Sequence, residues 1–453
     1  MNKKEKPNIL FLVIDALRED RIFSNNRTTK TPTMDKLRNN GVYFSQAIST
    51  SDVTGTGMGC FFSGVYPFES GITESKIDSK LFTLINILKK NGYNMCGSGP
   101  NFKFFRNLSN FLDDSFYYDY QQWREIDTIL GKSGNDVLNH LKSIQQGPPW
   151  FYYLHLMDIH GIGKLIKIPS KFDNDNFGKT KYDRMISSID FWLNDLLKQI
   201  DLDNTIIILT ADHGEYVSSK INEPLESIPN IYKFFRQMKK IVPILEPIGN
   251  QVFKGLLKIN TNLKRSMLSL QLDSKEMRDI LTRGNTDELF DDVLKIPLIF
   301  SGNEIKSSKR ISKLVRQIDV LPTILEIIGI EYSEKIQGRS LVPILNEEEL
   351  EEIPVYIETG NAEHDNVGNT IGIRSSKFKY LRNRYDEKLD VRLFNMIDDP
   401  LELKNIEKEE PDIVNNLETS LKEIMKKQIT FQKKELTDED KMIQEELKKM
   451  GYL

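Results

Sequence analysis

Residues 7–15 of the chain read PNILFLVID, and this stretch decides the fold class. Its six consecutive apolar residues, Ile9–Ile14, are typical of a parallel strand that is covered by helices on both faces. The run stops at Asp15, and the carboxyl end of a strand is where open α/β sheets place their ligand sites. The stretch therefore predicts a buried central strand with a carboxylate at a functional edge.

Two further apolar runs, Trp150–Leu156 and Thr205–Thr210, have the same character. Each is followed within four residues by side chains that can bind metals or transfer protons. They are Asp158 and His160 after the first run, and Asp212 and His213 after the second. Because the carboxyl ends of parallel strands meet at one edge of a sheet, we expect these groups to lie near Asp15.

Between the predicted strands, apolar residues recur at helical spacing over Thr33–Asn40 and Tyr182–Ile200. Ile296–Ser301 predicts another strand, and Leu314–Ile328 predicts a helix in which Pro322 marks either the first turn or a kink. The alternation of strands and helices indicates an α/β fold with a central, mostly parallel sheet flanked by helices.

A chain of 453 residues can form one large domain with a smaller appendage. We predict a catalytic domain over 1–350 that contains a helical insertion at 216–288. That insertion either packs on the domain surface, forms a lid over the site, or contacts anionic lipid through the basic residues of 229–272. Residues 351–453 predict a smaller C-terminal α+β part with antiparallel strands and terminal helices.

Composition narrows the class of protein. The formal net charge is −4, which does not favour general nucleic-acid binding. Only Cys60 and Cys96 occur, so there is no disulfide framework. The run Ile9–Ile14 is too short for a signal-peptide core, and no segment approaches the roughly 20 apolar residues of a membrane span. These features predict a cytoplasmic protein.

Two carboxylates and an imidazole, from Asp15, Asp212 and His213, form a donor set suited to one divalent cation. Mn, Mg, Ca and Zn all remain open. An aspartate at a strand end can also serve only as a helix cap, but the adjacent pair of Asp212 and His213, together with Asp15 after another strand, favours the metal interpretation. His155 lies inside its strand, where a buried, hydrogen-bonded side chain is expected.

His160 could donate a proton to a leaving oxygen or bind a non-bridging oxygen of a substrate. Asp158, two residues earlier, is the second candidate for contact with the substrate. The competing interpretation for a single histidine in a loop is a structural role.

Short motifs occur, in this order, at 7–15, 31–37, 41–47, 211–215, 319–323, 338–341 and 393–400. Together they resemble the sulfatase-like branch of the alkaline phosphatase superfamily. The resemblance implies the sulfatase-like sandwich fold and hydrolysis or transfer of anionic esters. Whether the ester is linked to a glycan or to a lipid stays open.

The same resemblance places Thr54 at the position of the nucleophile, thirteen residues before Pro67. Sulfatases carry there a Cys or Ser that is modified to formylglycine. A threonine cannot become the required aldehyde. The paired aspartates of sulfatases are also reduced to one, because Ala16 follows Asp15. These departures resemble phosphoglycerol transferases and phosphodiesterases of the superfamily, in which a metal-bound threonine attacks phosphorus.

The leading hypothesis is therefore a one-metal hydrolase or transferase of phosphate esters, diesters above all, with Thr54 as a metal-bound nucleophile. A second hypothesis is sulfate-ester hydrolysis by unmodified Thr54, which lacks the exit route of formylglycine. A third, from a different class, is a catalytically retired member that binds an anionic glycan or lipid headgroup.

Overall fold

The computed structural model describes residues 6–72, 83–118, 129–160, 168–217, 288–303, 305, 308–360 and 369–426. A nine-stranded sheet forms the centre of the molecule. Its strands are β1 (Asn8–Ile14), β2 (Gly41–Ile48), β3 (Asn94–Pro100), β4 (Asp114–Tyr118), β5 (Trp150–Leu156), β6 (Thr205–Thr210), β7 (Lys295–Gly302), β8 (Lys309–Ile311) and β9 (Val315–Arg316).

The strand order is β4-β3-β5-β1-β6-β7-β2-β8, with β9 also paired to β2. Neighbours run parallel except at β7, which is antiparallel to both β6 and β2. The central position of β1 explains its composition, because all six residues of Ile9–Ile14 are fully buried. Since β5, β1 and β6 are adjacent and parallel, their carboxyl ends lie together at one edge.

Helices flank this sheet, as predicted. The described helices are α1 (Asp20–Phe23), α2 (Pro32–Asn39), α3 (Thr54–Ser63), α4 (Pro67–Ser70), α5 (Thr83–Lys90), α6 (Lys103–Ser109), α7 (Lys132–Ser143), α8 (Lys181–Leu197), α9 (Asp291–Leu294), α10 (Val320–Ile327), α11 (Val342–Leu345) and α12 (Pro411–Lys426). α2 packs against α8 and β7, while α3 packs against α5 and α10.

The predicted helices Thr33–Asn40 and Tyr182–Ile200 correspond to α2 and α8. The prediction of one helix over Leu314–Ile328 was wrong in its first third. Val315 and Arg316 pair with β2 as a short strand, and a 3-10 turn follows before α10 begins at Val320. Pro322 lies in the first turn of α10, where a missing N–H breaks no helical hydrogen bond.

A second sheet, of four antiparallel strands, follows in the chain. Its strands are β10 (Val355–Glu358), β11 (Thr370–Arg374), β12 (Phe378–Asn383) and β13 (Arg392–Asn395). One face of this sheet packs with α12, through Leu421, into a cluster that also contains Cys60 of α3 and Tyr66. The second sheet is therefore joined to the helix that begins at Thr54.

Buried ion pairs add to this junction. The Lys379 ammonium lies 2.6 Å from a carboxylate oxygen of Asp291 and 2.6 Å from one of Glu402. It also donates a hydrogen bond to the Leu289 carbonyl. Arg374 pairs with the same Asp291 at 3.0 Å. Two cations and two acids thus lie where α9 meets the second sheet.

The predicted insertion at 216–288 and its basic stretch at 229–272 lie almost wholly outside the described residues, as does the chain after residue 426. Within the described ranges, no helix has both the length and the apolar character needed to cross a membrane.

Candidate active site

Asp15, at the end of β1, lies at the centre of the candidate site. It is fully buried, and its Oδ2 atom is 3.0 Å from the hydroxyl oxygen of Thr54 and 3.2 Å from Nε2 of His155. Burial alone would raise the pKa of this carboxyl. The charge of His160, the hydrogen bond with His155 and the charge of His213 outweigh burial and hold the pKa well below its usual value. Asp15 is therefore an anion at neutral pH.

Thr54 is the first residue of α3 and is buried. Val53 before it is extended, so the chain turns sharply into the helix at this point. The helix can approach the sheet closely because Gly57 has no side chain. A Cβ atom there would lie 2.9 Å from the carbonyl oxygen of Asp212. The backbone thus brings a hydroxyl and two carboxylates together, as the sequence predicted.

Asp212 follows β6 by two residues and is fully buried. Its Oδ1 atom accepts hydrogen bonds from the backbone amides of Ala16, at 3.1 Å, and His213, at 2.9 Å. Ala16 has a φ of 61°, a left-handed conformation that points its N–H toward this carboxylate. The other oxygen, Oδ2, has no hydrogen-bond partner among the described residues.

His213 lies next to Asp212, with its Nε2 atom 3.5 Å from Oδ2 of that residue. Its Nδ1 atom is 2.7 Å from the carbonyl oxygen of Gly214, which can only accept, so Nδ1 carries the proton. Burial would lower the pKa of His213, but Asp212 and Asp15 raise it to about 9. Without a cation the ring is therefore protonated at neutral pH, and a cation bound beside the two acids would replace the proton on Nε2.

His155 is a site residue that the sequence analysis did not identify. Its strand position pairs with Val13 of β1, so its side chain lies on the same sheet face as Asp15, two residues further along β1. The side chain is buried, as expected, but it faces the acids. The pairing of β1 with β5 would have had to be known to foresee this, because a histidine inside an apolar run carries no signal of its own.

His160 lies just beyond β5 and is half-buried. Its charge is one of the main influences that lower the pKa of Asp15, which shows that it is close to the site. Asp158 is buried, and one of its oxygens accepts a hydrogen bond from the backbone amide of Ile129 at 2.7 Å. The roles of His160 and Asp158 toward a substrate stay predictions.

The second sheet contacts the segment that precedes Thr54. The Glu358 amide donates to the carbonyl of Thr50, and the Gly360 amide donates to the Asp52 carboxylate, each at 2.8 Å. Burial raises the pKa of Asp52 to about 6. The segment that leads into Thr54 is therefore held on one side by residues from the C-terminal part of the chain.

The donor set fits a divalent cation. Ligand atoms of Asp15, His155 and Asp212 all lie within 4.8 Å of one another. Oδ1 of Asp15 and Oδ2 of Asp212 are both buried and lack hydrogen-bond partners among the described residues. Two buried carboxylates with unsatisfied oxygens are costly unless a cation neutralises them. Asp15 and Asp212 would hold such an ion, with Thr54 and the two histidines as further candidates.

A buried hydroxyl beside a carboxylate pair, at the carboxyl edge of an α/β sheet, is the arrangement of a metal-dependent ester hydrolase. Sequence comparison agrees. Residues 7–330 match the sulfatase family, and residues 285–429 match the family described as N-sulphoglucosamine sulphohydrolase, C-terminal. The first match spans more than half of the chain, which therefore belongs to the sulfatase family.

Individual relatives are distant. Arylsulfatase K of Mus musculus is 21% identical over 460 residues, covering 94% of this chain and 80% of the relative. The ulvan-active sulfatase of Formosa agariphila is 23% identical over 417 residues, covering 84% of this chain and 66% of the relative.

Solved structures confirm the fold. The phosphonate monoester hydrolase of Agrobacterium radiobacter superposes with a TM-score of 0.66 at 15% identity, covering 96% of this chain and 99% of that one. A protein in complex with its substrate D-glucosamine-2-N,6-O-disulfate superposes with a TM-score of 0.64 at 16% identity, covering 95% and 100%.

Proposed function

We propose that this sulfatase-family hydrolase uses the unmodified hydroxyl of Thr54 as its nucleophile, and that its preferred substrates are phosphate esters, diesters above all. The observation that carries the proposal is the 3.0 Å separation between the Thr54 hydroxyl oxygen and Oδ2 of Asp15. That contact places an alcohol, rather than an aldehyde precursor, against the acids of the site.

We assign a separate role to each residue of the site. Asp15 and Asp212 orient the reacting groups and hold the cation. When bound, a divalent cation would lower the pKa of the Thr54 hydroxyl and offset the negative charge of the ester. The Thr54 hydroxyl passes its proton to Oδ2 of Asp15, to which it already donates a hydrogen bond, and its oxygen forms a bond to phosphorus while the bond from phosphorus to the alcohol oxygen breaks. His160 supplies the proton that this alcohol takes with it.

The resulting phosphorylated Thr54 is then resolved by water, or by an acceptor alcohol in a transfer reaction. Attack on phosphorus returns the oxygen and a proton to Thr54 and completes the cycle. A phosphoryl group can leave threonine in this way. A sulfated threonine has no aldehyde-hydrate route by which to expel sulfate, which is why phosphate esters are favoured over sulfate esters.

A second candidate is hydrolysis of sulfate esters by the same hydroxyl. The family match favours it, as do the names of arylsulfatase K and the ulvan-active sulfatase. Under this alternative the substrate would be a sulfated glycan or aryl sulfate. In either case we propose an anionic ester substrate and a cytoplasmic setting.

The test compares the wild-type enzyme with Thr54→Ala and Thr54→Ser on bis-4-nitrophenyl phosphate, 4-nitrophenyl phosphate and 4-nitrophenyl sulfate. We expect the diester to be the best substrate and Thr54→Ala to lose at least about 10³-fold in kcat/KM, with Ser retaining part of the activity. Acid quenching during turnover should leave a 4-nitrophenyl phosphoryl group, from the diester, or a phosphoryl group, from the monoester, on the peptide that contains Thr54.

Thr205→Ala is the matched control, because Thr205 is equally buried but begins β6, at the opposite end from Asp212. Full activity of Thr54→Ala would show that Thr54 is not the nucleophile. A preference for the sulfate ester, with sulfate trapped on Thr54, would establish the second candidate. Metal binding without turnover on any of the three esters would favour a retired, ligand-binding member.

A further inference from the structure

We propose that Nε2 of His155 is a direct ligand of the cation, and that the site therefore selects a transition metal such as Zn²⁺ over Ca²⁺ or Mg²⁺. This inference rests on the metal-dependent hydrolase proposed above. It goes beyond that function because it identifies one additional ligand and the class of metal that the ligand set prefers.

Geometry is the first support. Nε2 of His155 lies 3.2 Å from Oδ2 of Asp15. Two ligands of one tetrahedral zinc lie about 3.3 Å apart, since each is about 2.0–2.1 Å from the metal. The observed separation is that of two neighbouring ligands. His155, and not His213, forms with the two aspartates the group of mutually close donor atoms among the described residues.

The surroundings of the ring are the second support. His155 is fully buried, and its Nδ1 atom lies 2.5 Å from the hydroxyl oxygen of Tyr153. The Tyr153 hydroxyl oxygen can accept a hydrogen bond from Nδ1–H. A bound cation would favour this tautomer over the Nε2–H form that donates to Asp15, and Nε2 would then present a lone pair toward the acids. A partner that fixes the tautomer in this way is typical of metal-bound histidines.

Unsatisfied oxygens on both acids are the third support. Oδ1 of Asp15 and Oδ2 of Asp212 are buried without hydrogen-bond partners among the described residues. The residue after Asp15 is Ala16, which offers no ligand atom on its side chain. A nitrogen from β5 supplies the neutral donor that completes the set.

The metal preference follows from the donor types. Imidazole suits Zn and other late transition metals, whereas Ca²⁺ and Mg²⁺ take oxygen ligands. With His155 bound and Nε2 of His213 facing the same acids, the donor set would contain two nitrogens. A site of two carboxylates and two imidazoles should bind zinc far more tightly than calcium.

X-ray absorption at the zinc edge of the zinc-loaded full chain tests this directly, because imidazole ligands give a distinct scattering signature. We expect two imidazoles in the wild type and one in His155→Gln. His140→Gln is the matched control. His140 contacts Ser98 and Tyr152, lies outside the candidate site, and its replacement should leave both imidazoles in place.

Zinc affinity by chelator competition gives the second readout. Losing an outer-shell partner costs about 10–100-fold in metal affinity, so a direct ligand should cost more. We expect His155→Gln to weaken zinc binding by more than about 100-fold and calcium binding by much less. Tyr153→Phe should fall within the outer-shell range.

The inference is overturned if the wild type shows fewer than two imidazoles, or if His155→Gln keeps the wild-type imidazole count. In the latter case His155 only positions Asp15. The imidazole count of the wild type tests the inference even if His155→Gln does not fold. Thr54→Ala separates this inference from the proposed mechanism, because it should abolish turnover while leaving the imidazole count unchanged.

Discussion

The backbone amide of Ala16 donates a hydrogen bond to Oδ1 of Asp212, 196 positions later in the chain. Together with the amide of His213, it occupies one oxygen of this carboxylate and fixes its plane. The other oxygen, Oδ2, is buried and has no hydrogen-bond partner among the described residues. A link between the ends of β1 and β6 thus decides which atom of Asp212 can meet a cation.

The substitution Asp212→Asn tests whether the two carboxylate oxygens of Asp212 have these different roles. The amide oxygen can still accept from Ala16, but an NH₂ group replaces Oδ2 and cannot bind a cation. We expect metal affinity to fall by more than about 100-fold, with thermal stability of the metal-free protein little changed. Isothermal titration and thermal denaturation measure the two effects. Asp195→Asn, on the exposed surface of α8, is the control. Unchanged metal affinity would contradict the assignment.

His160→Ala distinguishes proton donation from substrate contact. A general acid contributes about 10²–10⁴-fold when the leaving alcohol needs a proton, and little when it does not. We therefore expect a large loss on an alkyl phosphodiester and a small one on bis-4-nitrophenyl phosphate. The measurement is kcat/KM for both esters. Equal losses on the two esters would show that His160 binds a non-bridging oxygen instead.

The two cysteines of the chain should be chemically inert. Cys60 and Cys96 are both buried, and burial raises the pKa of Cys60 well above its usual value and that of Cys96 to about 12. We expect neither thiol to react with Ellman's reagent until guanidinium chloride unfolds the protein, and iodoacetamide to leave activity intact. Loss of activity after alkylation of the folded enzyme would contradict this.

Lys379→Met should be strongly destabilising. The ammonium is buried between Asp291 and Glu402, and removing one partner of a buried ion pair typically costs about 3–5 kcal/mol. Urea denaturation should show this loss, and the double variant with Glu402→Gln should recover part of it. Lys377→Met, on the exposed turn before β12, is the matched control. Equal free energies of unfolding for Lys379→Met and Lys377→Met would contradict a stabilising role for the buried ion pairs of Lys379.

The sequence predicted what depends on local patterns. A continuous apolar run such as Ile9–Ile14 identifies a central parallel strand, and a polar residue after it falls at the functional edge for topological reasons. Asp15 and Asp212 could therefore be placed together before their contacts were known. α2 and α8 were predictable for the same kind of reason, because their apolar faces repeat at helical spacing.

What the sequence could not show depends on contacts between distant segments. His155 faces Asp15 only because β5 pairs with β1 in one particular register. Val315 and Arg316 have helix-compatible neighbours, yet they form a strand because the edge of β2 offers unpaired backbone groups at Ala47 and Ile48. Pairing of this kind is set by the assembled sheet, and no local pattern encodes it.

The hydrogen bonds from Glu358 and Gly360 to the segment before Thr54 limit how far the chain can be truncated from its C-terminal side. A fragment that stops at residue 350 would retain every proposed ligand and the proposed nucleophile, Thr54. It would nevertheless leave the Thr50 carbonyl and the Asp52 carboxylate without these donors and strip the cover from one side of α3. The smallest unit able to turn over substrate is thus larger than the portion that carries the reactive groups, and minimal versions for biotechnology should keep the second sheet.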